Sequence, residues 1–94
     1  EKNIPKIKII FPLNGQTFNL EKITILAEIT APLGTKQVDY FFNDDFIGSA
    51  MSAPYKISFT PPVNTPNGLN AIKVVAYDWA FNRQEEKINI YINR

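Results

Sequence analysis

Apolar and polar residues alternate in short runs along nearly the whole chain, with a period of two instead of the i, i+3, i+4 spacing of an amphipathic helix. From Lys6 to Phe11 the alternation puts Ile7, Ile9 and Phe11 on one face and Lys6 and Lys8 on the other. From Lys22 to Thr30, Ile23, Ile25, Ala27 and Ile29 point inward while Thr24, Glu28 and Thr30 point out, the pattern of a strand with one face on a core and one in water. Val38, Tyr40 and Phe42 form the inward set between Gln37 and Asn43, opposed by Gln37, Asp39, Phe41 and Asn43, and a short strand is predicted over Phe46–Met51. Tyr55, Ile57 and Phe59 alternate with Lys56 and Ser58. Ile72, Val74 and Ala76 alternate with Lys73, Val75 and Tyr77, and Ile88, Ile90 and Ile92 with Lys87, Asn89 and Tyr91. The pattern predicts seven strands.

Turn chemistry separates them: Asn14-Gly15, Ala31-Pro32-Leu33-Gly34, Asn43-Asp44-Asp45, Pro61-Pro62, Pro66-Asn67-Gly68 and the stretch from Asp78 to Asn82. No capped helical pattern interrupts the series, so the chain reads as all-β, a seven-stranded antiparallel sandwich of the size class of about 100 residues. Pro5 with Lys6 and Lys8, and Pro54 at the start of another strand, read as protected sheet edges, because proline cannot donate to a ladder and lysine resists being paired over.

Composition narrows the functional classes. The 94 residues allow one domain, 1–94, and thirteen Ile, four Val and six Thr account for its strand character. With no Cys and no His, disulfide frameworks, structural zinc, thiol nucleophiles and imidazole bases are excluded, and an enzyme is not expected. Ten Lys+Arg against nine Asp+Glu give a net charge of +1 with the lysines dispersed from Lys2 to Lys87, so no basic stripe suits a nucleic acid. The longest apolar run, Ile9 to Leu13, falls far short of the roughly 18 residues of a membrane span. The chain begins at Glu1 and not Met, and is expected to be a mature product or a piece of a larger multidomain protein, with any membrane contact made through that parent.

Four blocks then carry a family resemblance that covers nearly the whole chain. Pro12-Leu13-Asn14-Gly15 resembles the P-x-x-G opening of bacterial immunoglobulin-like domains, and Val38 to Asp44 followed by Ile47-Gly48 is similar to their V-x-F-Y-V-D-G-x-x-I-G segment. Ala53-Pro54-Tyr55 with Phe59 resembles A-P-Y…W, and Gly68 through Asp78 and Asn82 resembles G-x-x-x-L-x-A-x-A-x-D-x-x-G-N. The resemblance implies an Ig-like or fibronectin type III-like accessory module, non-catalytic and without cofactors. It also implies an extracytoplasmic setting (secreted, periplasmic or cell-wall associated) of the kind found in tails of penicillin-binding proteins, polysaccharide hydrolases and adhesins. Two departures stand out: Asp44-Asp45 where the family prefers Asp-Gly, and Phe81 where it prefers Gly, which predict longer or differently shaped turns.

The remaining chemistry is sparse. Asp39, Asp44, Asp45 and Asp78 supply oxygens, but the D-x-D-x-D pattern of a calcium loop is missing, and no metal site is expected. Asp78 is expected to accept backbone N–H groups across its turn while Asn82 takes a left-handed conformation. Glu85 and Glu86 are neighbours on a strand and point to opposite faces, so they cannot flank one glycosidic bond. Ser49, Ser52 and Ser58 lack an activating base. The prolines from Pro61 to Pro66 suit a stiff loop, and no Asn-x-Ser/Thr triplet is present. The functional lead is aromatic. Trp79 and Phe81 lie in a loop, and Phe41, Val75, Tyr77 and Tyr91 fall on the polar side of their strands. Such residues either pack as cross-strand neighbours, cap the sandwich or meet an adjacent domain of the parent chain, or they stack sugar rings of a cell-wall polysaccharide or peptidoglycan. Trp79, Phe81, Phe41, Tyr77 and Tyr91 are therefore the candidate glycan or domain interface, with no catalytic residue beside them.

Overall fold

A computed structural model describes residues 3–94; Glu1 and Lys2, the first positions of the predicted module, lie outside the described residues. Eight strands form: β1 (Lys6–Phe11), β2 (Thr17–Phe18), β3 (Ile23–Thr30), β4 (Thr35–Phe42), β5 (Asp45–Ala50), β6 (Tyr55–Phe59), β7 (Gly68–Asp78) and β8 (Arg83–Ile92). One sheet has the order β1-β3-β6 and the other β2-β8-β7-β4-β5. The chain crosses between sheets after β1, β2, β3, β5 and β6, and this repeated crossing makes a sandwich with one core.

The additional strand is β2, two residues long and paired in parallel with β8 through Thr17–Tyr91 and Phe18–Ile92. A two-residue strand carries no readable periodicity, so the chain shows only seven alternating runs. Its approach explains another difference. The register slips between Ile9 and Phe11, a bulge that takes Phe11 out of the inward row set by Ile7 and Ile9. Phe11 instead meets Phe18 of β2 edge to face, 6.2 Å between ring centres.

The predicted inward sets make the core. Ile23, Ile25 and Ala27 of β3 face Val38, Tyr40 and Phe42 of β4, Ile72, Val74 and Ala76 of β7, and Ile90 and Ile92 of β8, all buried. Phe42 and Phe59, from opposite sheets, pack with ring centres 5.0 Å apart. With no cysteine in the chain, this apolar burial holds the sheets together, and truncating one of these isoleucines to alanine would cost about 2–5 kcal/mol. The Tyr40 hydroxyl is buried with no hydrogen-bond partner among the described residues, and burial, with Tyr55 nearby, pushes its ionisation well above the ordinary tyrosine value.

Val75 departs from the alternation rule: it is on the outer face, yet only 1% exposed. β7 is a central strand, and Val75 sits between Asp39 of β4 and Glu85 of β8, with Lys73 and Tyr77 before and after it on the same face. β1 and β6 are the edges of the smaller sheet, as Pro5, Lys6, Lys8 and Pro54 lead one to expect.

Candidate functional site

The β4–β5 connection is shorter than its missing glycine suggests. Phe42 pairs with Asp45, so only Asn43 and Asp44 turn the chain, at φ 50° and 70°. Positive φ at both central residues is the hallmark of the type I′ hairpin, and Asn and Asp are the non-glycine residues that tolerate it best. Asn43 also ties the turn to β7. Its backbone N–H donates to the Ala71 carbonyl and its Oδ1 accepts from the Ala71 N–H, both at 2.8 Å, while its amide nitrogen donates to Asn70 Oδ1.

At the opposite pole, Asp78 organises the β7–β8 turn. Its Oδ1 accepts the backbone N–H of Ala80 (2.9 Å) and of Asn82 (2.8 Å), and its Oδ2 accepts the Asn82 side-chain amide (2.9 Å). Asp78 is fully buried. Burial works to raise its carboxyl, but the hydrogen bonds from Asn82 and Ala80 outweigh it and leave the group below its ordinary value. The left-handed residue is not Asn82 but Phe81, at φ 67°. The Asn82 side chain is instead engaged with Asp78, and the conformation falls on the position where the family prefers glycine.

This turn fixes Trp79 and Phe81, which are 65% and 87% exposed. Trp79 leans on the β3–β4 turn, where a methyl group in place of the Gly34 hydrogen would come within 3.1 Å of its ring. Between the two aromatics reaches Lys36, its ammonium 5.8 Å from each ring centre. Lys36 lies in the register slip between Thr35 and Gln37, a bulge that re-aims its side chain. Tyr77 is half-buried beside Gln37 and Arg83 in the same row of the sheet. Lys36, Gln37, Asp39, Tyr77, Phe81 and Arg83 surround an open depression of about 390 Å³.

The other two candidates lie apart. Phe41 forms a cross-strand pair with Phe46, 5.8 Å between ring centres, under the Lys73 ammonium at 4.8 Å. Tyr91 is 44% exposed and sits between Thr17 and Leu69. It is eight β8 positions from Arg83, or about 27 Å along the strand. The five aromatics thus split into a cluster of three at one pole, one partnered ring mid-sheet and one at the far pole. Lys36, Gln37, Asp39 and Arg83 are polar members of the cluster that periodicity does not single out; register alone brings them to Tyr77 and Phe81. Among the described residues, no three acidic side chains gather in a set able to hold a metal ion.

Two sheets in this order, joined by these crossings, define an immunoglobulin-like sandwich module, a class that is generally non-catalytic. The model of the bacterial Ig domain family matches residues 5–74, and the chain belongs to that family. In structure it is similar to the fibronectin(III)-like modules of CbhA from Clostridium thermocellum, with a TM-score of 0.80 at 24% identity over 93% of this chain and 94% of that one. It is also similar to part of an engineered protein, with a TM-score of 0.70 at 12% identity over 96% of this chain and 20% of that one. No curated protein matches the chain.

Proposed function

We propose that this domain is a structural spacer that positions a neighbouring domain of its parent protein at the bacterial cell surface, in an extracytoplasmic setting such as the tail of a penicillin-binding protein. The observation that carries the reading is that β1 starts and β8 finishes at opposite poles. The body measures 42 × 20 × 19 Å. Lys6 pairs with Thr30, beside the Ala31–Gly34 turn at one pole. At the other pole Gly68 pairs with Ile92, and Arg94 is held by the Val63 carbonyl and the Asn67 side chain. The backbone enters at one end of the long axis and leaves at the other, the geometry that separates whatever is attached to the two ends.

Two measurements test this. With the domain inserted between two fluorescent proteins, energy transfer should give one narrow distance distribution, insensitive to salt and lost in a single step on unfolding; a broad, salt-dependent distribution contradicts a rigid spacer. Antibodies against the domain should label intact cells of the producing bacterium, and labelling seen only after lysis contradicts a surface position.

A further inference from the structure

Phe81 poses a physical problem. A bulky residue at φ 67° is uncommon and strained, yet its ring is 87% exposed and returns no core packing for that cost. Around it the structure is rigid. Asp78 fixes the turn with three hydrogen bonds, and the Lys36 bulge sets a cation against the ring. An exposed aromatic carried on a turn whose backbone is tied in this way offers a contact surface at a fixed place in the fold.

We propose that the depression bounded by Tyr77, Phe81, Lys36, Gln37, Asp39 and Arg83 is a binding site for a neutral oligosaccharide of flat pyranose units. This is independent of the spacer role. The volume of about 390 Å³ is in the range of small-ligand sites and suits one or two sugar rings. The Phe81 and Tyr77 rings in its lining offer apolar surface to the C–H face of an all-equatorial pyranose.

Polar partners for hydroxyls stand beside them. Asp39 Oδ1 accepts from Gln37 Nε2 (2.7 Å) and Ser49 Oγ (2.6 Å), which orients the carboxylate and leaves Oδ2 its lone pairs for a sugar O–H. Arg83 uses one donor on Glu85 at 3.1 Å and has others to offer a hydroxyl oxygen. Lys36 and Arg83 bring two positive charges against the three carboxylates of Asp39, Glu85 and Asp78, the last with its oxygens hydrogen-bonded inside the turn. That balance favours a neutral ligand over an acidic one. A peptide adding as a strand would run along a sheet edge, whereas Tyr77 stands on the outer face of β7, flanked by Gln37 of β4 and Arg83 of β8.

The test is an amide-resolved NMR titration of the folded domain with cellohexaose and, separately, chitohexaose. A contact of one or two rings should saturate on the order of 1 mM with at least one of these sugars. Shifts should centre on residues 36–39 and 77–83. Phe81→Ala should weaken binding at least tenfold, and Tyr91→Ala should leave it unchanged, both side chains being exposed enough for the fold to survive their removal. The proposal is overturned if neither sugar shifts these residues at 10 mM, if shifts centre on Phe41 or Tyr91, or if Tyr91→Ala weakens binding as much as Phe81→Ala. A ten-residue peptide that occupies the same residues where both sugars fail overturns it equally.

Discussion

The two turns that lack the family's glycine solve the same backbone problem with different outcomes. At the β4–β5 turn, Asn43 and Asp44 take positive φ, and Asn43 joins the turn to Ala71 and Asn70 of the neighbouring strand. The unusual backbone there serves the fold. At the β7–β8 turn the same region of φ is imposed on a phenylalanine whose ring faces solvent, while the turn's hydrogen bonds are supplied by Asp78 and Asn82. Those bonds do not need the Phe81 side chain. The first strain has a structural return and the second has none, which is the contrast the oligosaccharide proposal accounts for.

The largest expected effect comes from the residue that builds the second turn. Asp78→Ala removes the acceptor of three hydrogen bonds in a buried position, so urea denaturation should show a greater loss than substitutions at Asn43, Asp44 or Phe81, together with disordered Trp79 and Phe81 signals. Because the folded-state carboxyl lies below its ordinary value, its stabilisation is complete above the ordinary carboxylate range and is lost as pH falls through the lowered value. Acid unfolding followed by circular dichroism should accordingly be less steep in Asp78→Asn than in the wild type. Next in size, Asn43→Ala should destabilise by about 1 kcal/mol, since it removes the acceptor of the Ala71 N–H and the donor to Asn70 Oδ1; a neutral result would mean the first turn is not anchored as described.

The glycine replacements sharpen the contrast. Phe81→Gly should raise stability by about 1 kcal/mol, because it relieves the left-handed penalty and gives up only a solvent-exposed cation–π interaction with Lys36. Asp44→Gly should gain less, roughly 0.5 kcal/mol, because Asp tolerates this conformation better and its 3.8 Å ion pair with Lys73 is solvent-exposed. If Asp44→Gly gained more than Phe81→Gly, the ranking of the two strains would be reversed.

Much of the fold is legible in the alternation. The inward rows of β3, β4, β7 and β8 rest on side-chain periodicity alone, and their predicted apolar members are buried except Ile29 and Ile88, which are half-buried against the core. What periodicity misses depends on neighbours distant in sequence. β2 exists because Thr17 and Phe18 reach β8, Phe11 leaves its row because of a bulge, and Val75 is covered because β7 is flanked on both sides. The exposure of Trp79 and Phe81 is likewise readable from a loop position. Their separation from Tyr91 and Phe41 is not, because only the register states which rows of a long sheet share a pole. The left-handed position falls on Phe81 instead of Asn82 for a local reason: Asn82 is already committed to Asp78.

One variant tests whether the second turn serves binding and not folding: Phe81→Gly, measured for both stability to urea and cellohexaose or chitohexaose binding. A domain that becomes more stable by about 1 kcal/mol while losing oligosaccharide binding is the predicted result. A domain that becomes less stable, or that binds the sugar as well as the wild type, would contradict it.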